Sequence, residues 1–321
     1  MFRAILIALA TLFALPVAAQ APFWTSEWPN TDFSKTSVDF VDIIGGGPPR
    51  DGIPALSDIT VVPAGIVTFP ENEPVVTVEI EGATPRAYPI RYLTWHEIVN
   101  DTISGIPIAV TFCPLCNSAI VFDRRVQGRT LEFGVSGKLL ASNLVMFDRE
   151  TESWWQQFTG EGIVGEMTGA RLDKIVSWEE SLASFRERNP DGEVMGRPAN
   201  YNRAYGSNPY AGYDRADRPF LYNGDAPPFG IEPLARVIVV GNRAWPLERL
   251  QEVEVLEEAG LRIEWKRGMA SALGTRRIAD ARDIGSIRVY DAATGKDVVH
   301  DVAFAFAFDA LTPDAEWMVG E

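Results

Sequence analysis

Short apolar runs broken by proline, glycine and polar turns dominate the chain. Residues 106–112, 119–124, 130–135 and 144–148 each read as a β-rich run, rich in β-branched and aromatic side chains. Gln127-Gly128 has the chemistry of a hairpin turn between two of them. Two helices are expected from capping boxes. Thr94-Trp95-His96-Glu97 offers Thr94 as N-cap and Glu97 three residues on. Ser177-Trp178-Glu179-Glu180 offers the same, with Leu182 and Phe185 at helical spacing from Trp178. The expected fold class is α+β, mostly antiparallel sheet with short helices.

The pattern also repeats. Arg86-Ala87-Tyr88-Pro89-Ile90 with Leu93 matches Arg243-Ala244-Trp245-Pro246-Leu247 with Leu250, each after a β-like run. Met146-Phe147-Asp148 with Thr151 matches Val289-Tyr290-Asp291 with Thr294. Phe185 with Pro190-Asp191 and Glu193 matches Phe308 with Pro313-Asp314 and Glu316. Three matches in one order predict two degenerate copies of one β-rich unit. The second copy has no cysteine opposite Cys113 and Cys116 and no imidazole opposite His96, so the first is expected to carry the chemistry.

The remaining segments complete the expected organisation. Residues 1–19 hold a short basic start, an apolar run and Val17-Ala18-Ala19, which read as a secretory signal peptide. Residues 20–70 form an extended N-terminal segment, and its Gly45-Gly46-Gly47-Pro48-Pro49 reads as turns because it lacks a phosphate-loop ending. The first copy covers 71–195 and the second 235–321. Between them, residues 196–234 carry five tyrosines, Tyr201, Tyr205, Tyr210, Tyr213 and Tyr222, without strand or helix period. A connection this long is a linker or a functional cover. These features place the protein in a periplasm or outside the cell, with no membrane span after signal removal.

Composition adds exclusions. The 321 residues are 46% apolar and 23% charged, which is globular composition. The net charge of −15, with no basic patch, argues against a nucleic-acid partner. Both cysteines sit in one Cys113-Pro114-Leu115-Cys116, which is not the spread of a disulfide scaffold. A bridge closing so short a loop would stabilise by about 2 kcal/mol.

Such a pair serves thiol–disulfide exchange or binds a soft metal. Haem attachment is excluded because Asn117, not histidine, follows Cys116. The consecutive Ile120-Val121-Phe122 fits a strand, so the pair is placed on a strand-to-strand turn rather than at a helix start. His96, one of two histidines, is the candidate partner of the thiols, neutral if it sits near its helix N-terminus. His300 reads as structural. Zinc prefers four ligands, so the short count favours redox chemistry slightly; copper held by Cys113 and Cys116, with or without His96, is the metal variant that fits. Met146, Lys138 on a Ser136-Gly137-Lys138 turn, Asp148 and Trp154 are candidates for second contacts. The partner would be a small molecule or a protein thiol. An alternative is a non-enzymatic binding module that uses the tyrosine-rich crossover and Trp154-Trp155, with the cysteines as a minor bridge.

Several segments together resemble the bacterial domain-of-unknown-function family 3179: Arg86-Ala87-Tyr88-Pro89, residues 94–101, residues 111–116, residues 133–137 and residues 148–155. The resemblance spans roughly residues 50–235. It implies that His96, Cys113, Cys116, Ser136, Gly137, Asp148, Thr151 and Trp154 belong to one recurring pattern. The family has no established activity, so the resemblance implies no mechanism.

Overall fold

The computed structural model describes residues 24–320. The segment expected as a signal peptide lies outside the described residues. The described chain is mostly antiparallel β, in small sheets joined by four seven-residue α-helices.

The three-stranded sheet Ile98–Ile103, Ile106–Cys113 and Ser118–Asp123 is central to the site. Its middle strand reads as an almost unbroken apolar run because both faces are covered. Ile108, Ala109, Val110 and Phe112 are wholly buried. A five-stranded sheet lies beside it in the order Ile43–Gly45, Phe133–Leu140, Asn143–Asp148, Trp154–Gln156, Glu161–Val164. Gln127-Gly128 joins Arg125–Val126 to Arg129–Thr130 as the turn of a small hairpin, with φ of 50° and 76° at its two residues. The strand expected at 130–135 instead runs Phe133–Leu140.

Two other sheets share a connectivity. In one, Ser177–Ser181, Pro74–Val78, Arg86–Pro89 and Glu193–Met195 are neighbours, and the last pairing is parallel. In the other, Asp301–Phe304, Arg236–Val240, Arg243–Pro246 and Glu316–Trp317 follow the same order with the same parallel last pairing. Helices Ile90–His96 and Leu247–Val253 follow the corresponding strands.

Both capping-box expectations are corrected. The first helix is Ile90–His96, entered from Pro89, so Thr94 and Glu97 lie at its end. Proline fixes φ near the helical value and gives up only an orphan donor, which lets the helix start there. Ser177–Ser181 is a strand paired along its length with Pro74–Val78. The cap of Leu182–Arg188 is Ser181, whose side chain accepts the Ser184 amide at 3.1 Å. Sheet pairing outweighs a local capping signal that one more serine satisfies equally well. Ser136-Gly137-Lys138 is likewise not a turn. It is a bulge inside Phe133–Leu140, where the register with the next strand shifts between Val135 and Lys138.

Candidate dithiol site

Cys113 ends one strand and pairs with Ser118, which starts the next, so residues 114–117 form the hairpin turn. The Cys116 amide donates to Cys113 O at 3.2 Å. Asn117 closes the turn at φ 49°, a region asparagine tolerates. Cys116 O accepts the Phe304 amide at 2.8 Å, which fastens the hairpin to the second half of the chain. The two cysteines lie 3.7 Å apart as free thiols. Ser142 O faces both sulfurs, at 3.6 Å from Cys116 and 4.0 Å from Cys113.

The two sulfurs differ. Cys113 is 2% exposed and forms part of the wall of a cavity of about 440 Å³; Cys116 is fully buried and is not in that wall. Burial pushes the Cys113 thiol up, but hydrogen bonds from Cys116 and from the backbone at Leu144, Cys116 and Leu115 outweigh it and hold Cys113 below the usual thiol range. Burial drives Cys116 well above that range, and the charge on Cys113 adds to it. The hairpin therefore favours one thiolate, on the sulfur that meets the cavity.

Glu97 lines the same cavity. It caps the helix at φ 59° and ψ −31°, and its carbonyl accepts the Phe112 amide at 2.8 Å. That amide immediately precedes Cys113, so helix end and hairpin are locked in register. Glu254 caps the later helix at φ 63° and ψ −29°, with the Trp265 amide on its carbonyl. The shared backbone shows that the turn sets this conformation. The side chains differ in surroundings: Glu254 is exposed, whereas Glu97 is buried. Burial first, then the charge on Cys113, raises the Glu97 carboxyl to about 8, although a Tyr210 hydrogen bond opposes the shift.

The crossover 196–234 covers this site. Tyr210, Tyr213 and Phe220 line the cavity. The Tyr213 hydroxyl donates to Leu115 O at 3.0 Å and accepts the Phe220 amide at 3.2 Å. Ser142 Oγ donates to Phe220 O at 2.5 Å. The N-terminal segment supplies Gly46, Pro48 and Ile53 to the wall, so its glycine-proline run does more than turn.

The other sequence candidates are distributed as follows. His96 is buried, with Nδ1 2.7 Å from Pro54 O and Nε2 2.7 Å from the Tyr205 hydroxyl. Both ring nitrogens are thus engaged away from the sulfurs. It also closes its helix rather than opening it, and burial, not the helix dipole, lowers its pKa. Lys138 lines the cavity, and its Nζ pairs with Glu27 at 2.8 Å. Met146 is core. Asp148 accepts from Thr151 N at 2.6 Å and Trp155 Nε1 at 2.8 Å, which fixes a turn. Trp154 and Trp155 are wholly buried, Trp154 edge-on to Trp24, Trp28 and Phe33, so neither offers a stacking face. His300 is buried on Val298 O. Among the described residues no three His, Cys, Asp or Glu side chains converge as a metal site.

Sequence reasoning missed Glu97 as a site residue, because its capping-box reading absorbed it. The available clue was its alignment with Glu254, one step after the matched helices.

Fold and site define a mostly antiparallel β protein with a buried dithiol at the wall of an apolar cavity. The family model described as "Protein of unknown function (DUF3179)" matches residues 50–315. The chain belongs to that family, and the match reaches through the second half as well as the first. No curated protein and no solved structure matches the chain.

Proposed function

We propose that Cys113 and Cys116 form a redox-active dithiol that exchanges with a disulfide admitted to the cavity. The supporting observation is the asymmetry of the pair: one low-pKa sulfur at the cavity wall, with a high-pKa thiol 3.7 Å behind it. The Cys113 thiolate attacks one sulfur of the substrate disulfide, forming a mixed disulfide and expelling a thiolate, which takes the Glu97 proton. The Cys116 thiol then gives its proton to the ionised carboxylate and attacks Cys113. That attack expels the second substrate sulfur as a thiolate, which takes the proton now on Glu97. The substrate leaves as two thiols, the protein pair is oxidised by two electrons, and solvent returns a proton to Glu97. A small or extended disulfide suits a cavity of about 440 Å³. His96 is not needed for any step.

The metal reading has less support, since only two thiols and no converging third ligand are present among the described residues. We also infer that the chain holds two versions of one unit and that the small sheets are blades of a propeller. The repeated strand order and the matched Glu97 and Glu254 turns support the first; the five main sheets support the second.

Equilibration of the protein with glutathione buffers tests the redox proposal. A reversible Cys113–Cys116 couple above about −300 mV, in the folded state, is expected. A lower potential, or thiols that react only on unfolding, would mark an inert pair.

A further inference from the structure

A second cavity, of about 460 Å³, lies in the later half of the chain and shares no lining residue with the first. Phe229, Ile231, Leu247 and Val319 give it apolar surface, and Arg236 and Arg282 give it charge. Phe229 is 70% exposed and Val319 37%, so this apolar surface is open to an occupant.

The guanidinium groups at its base are loosely paired. Arg236 is buried and donates to Ser271 Oγ at 2.8 Å, but it reaches Asp214 only at 3.4 Å. Its Nε has no hydrogen-bond partner. Arg282 reaches the same Asp214 carboxylate at 3.3 Å. One carboxylate thus serves two guanidinium groups at long range. Glu179, the buried carboxyl nearby, is raised to about 7 by burial, against which the charge of Arg236 acts. Three carboxylates, Glu232, Glu248 and Asp283, line the cavity together with its three arginines. Asp283 accepts the Gly268 and Gly285 amides, and Arg249 is paired with Glu258. Glu232 and Glu248 are exposed, where water screens them.

We propose that this cavity binds a small amphipathic anion, a carboxylate on an aromatic or aliphatic body. The head group would sit against Arg236 and Arg282 as a charge-assisted pair. The body would cover Phe229, Leu247 and Val319. Arg236 also contacts Asn117 at 3.4 Å, directly after Cys116, so the two cavities are separated by the cysteine hairpin. The proposal does not depend on redox activity.

Calorimetric titration with 2-naphthoate, and with 2-naphthalenemethanol as its neutral counterpart, tests it on the full chain. Saturable naphthoate binding at least tenfold tighter than that of the alcohol is expected. Arg282→Gln, at an exposed position, should weaken naphthoate at least tenfold and leave the alcohol unchanged; Phe220→Ala, in the first cavity, should change neither. Equal affinity for acid and alcohol, no saturable binding, or sensitivity to Phe220→Ala rather than Arg282→Gln would overturn the proposal.

Discussion

Glu97 and Cys113 line one cavity, and negative charge on the sulfur adds to burial in lifting the Glu97 carboxyl to about 8. The two groups therefore compete for charge. A thiolate at Cys113 keeps Glu97 protonated, and an ionised Glu97 disfavours the thiolate. This coupling gives the site a proton to donate near neutral pH, where an ordinary carboxyl has none.

A stability experiment reads this directly. The folded pKa of Glu97 lies above its ordinary value of 4.5. Its contribution is complete below that value and is lost as pH rises through about 8. Urea melts of wild type and Glu97→Gln should show wild type losing on the order of 3 kcal/mol relative to the variant between pH 5 and 9. Glu179 shifts the same way, so the difference between the two proteins is the quantity to follow. A pH-independent difference would refute the buried, protonated carboxyl.

Alkylation separates the two thiols. Reduced native protein at pH 7 should take up one iodoacetamide quickly, at Cys113, because that sulfur meets the cavity and is the more readily ionised. Cys113→Ser should react at least tenfold more slowly, while Cys116→Ser should retain one reactive thiol and trap a mixed disulfide. Peptide mapping that finds the label first on Cys116 would reverse the assigned roles.

Tyr213→Phe removes two hydrogen bonds of one hydroxyl: the one to Leu115 O that pins the crossover to the cysteine hairpin, and the one from the Phe220 amide within the crossover itself. The Leu115 carbonyl and Phe220 amide lose their partner, at about 1–2 kcal/mol. Amide exchange at residues 213–220 should speed up and Cys113 alkylation should rise severalfold. Unchanged exchange would mean that the crossover is held by its other contacts.

Gly137 tests the cavity wall. It sits at φ +74° in the bulge, and a Cβ there would lie 2.1 Å from Pro48 O. Neither backbone can yield without moving the residue 46–49 segment, which is held by the Gly46 amide on Gly137 O at 2.8 Å. Gly137→Ala should cost about 2 kcal/mol or more in chemical denaturation. A neutral substitution would show that the segment is looser than this packing.

His96→Ala should damage stability and spare chemistry. It strands Pro54 O and the Tyr205 hydroxyl, at about 1–3 kcal/mol. Because burial holds the imidazole below its ordinary 6.5, its contribution is present above that pH and is lost as acid is added. The Cys113 alkylation rate should stay within twofold of wild type; a tenfold fall would return His96 to the site.

Part of the site was legible in the chain. Cysteines two residues apart, between an apolar run and Ile120-Val121-Phe122, could be placed on a strand-to-strand turn, since period and turn chemistry are local. The matched Asp148/Thr151 and Asp291/Thr294 segments do fold as the same turn, with the Thr151 and Thr294 amides on the preceding carboxylates. Yet their strands lie in different sheets, Asn143–Asp148 in a five-stranded one and Ser286–Asp291 in a three-stranded one. Local hydrogen bonding survives such a change of partner, and sheet membership does not follow from it.

By itself the sequence determined the β-rich character, the Gln127-Gly128 hairpin and the adjacency of the two sulfurs, because each depends on residues within a few positions of one another. Only the tertiary structure decided which sulfur meets the cavity, and that Glu97 rather than His96 faces it. Residues 97, 113, 137 and 210 come together through the packing of separate sheets and the crossover laid over them. Burial, which sets their charge states, belongs to that packing.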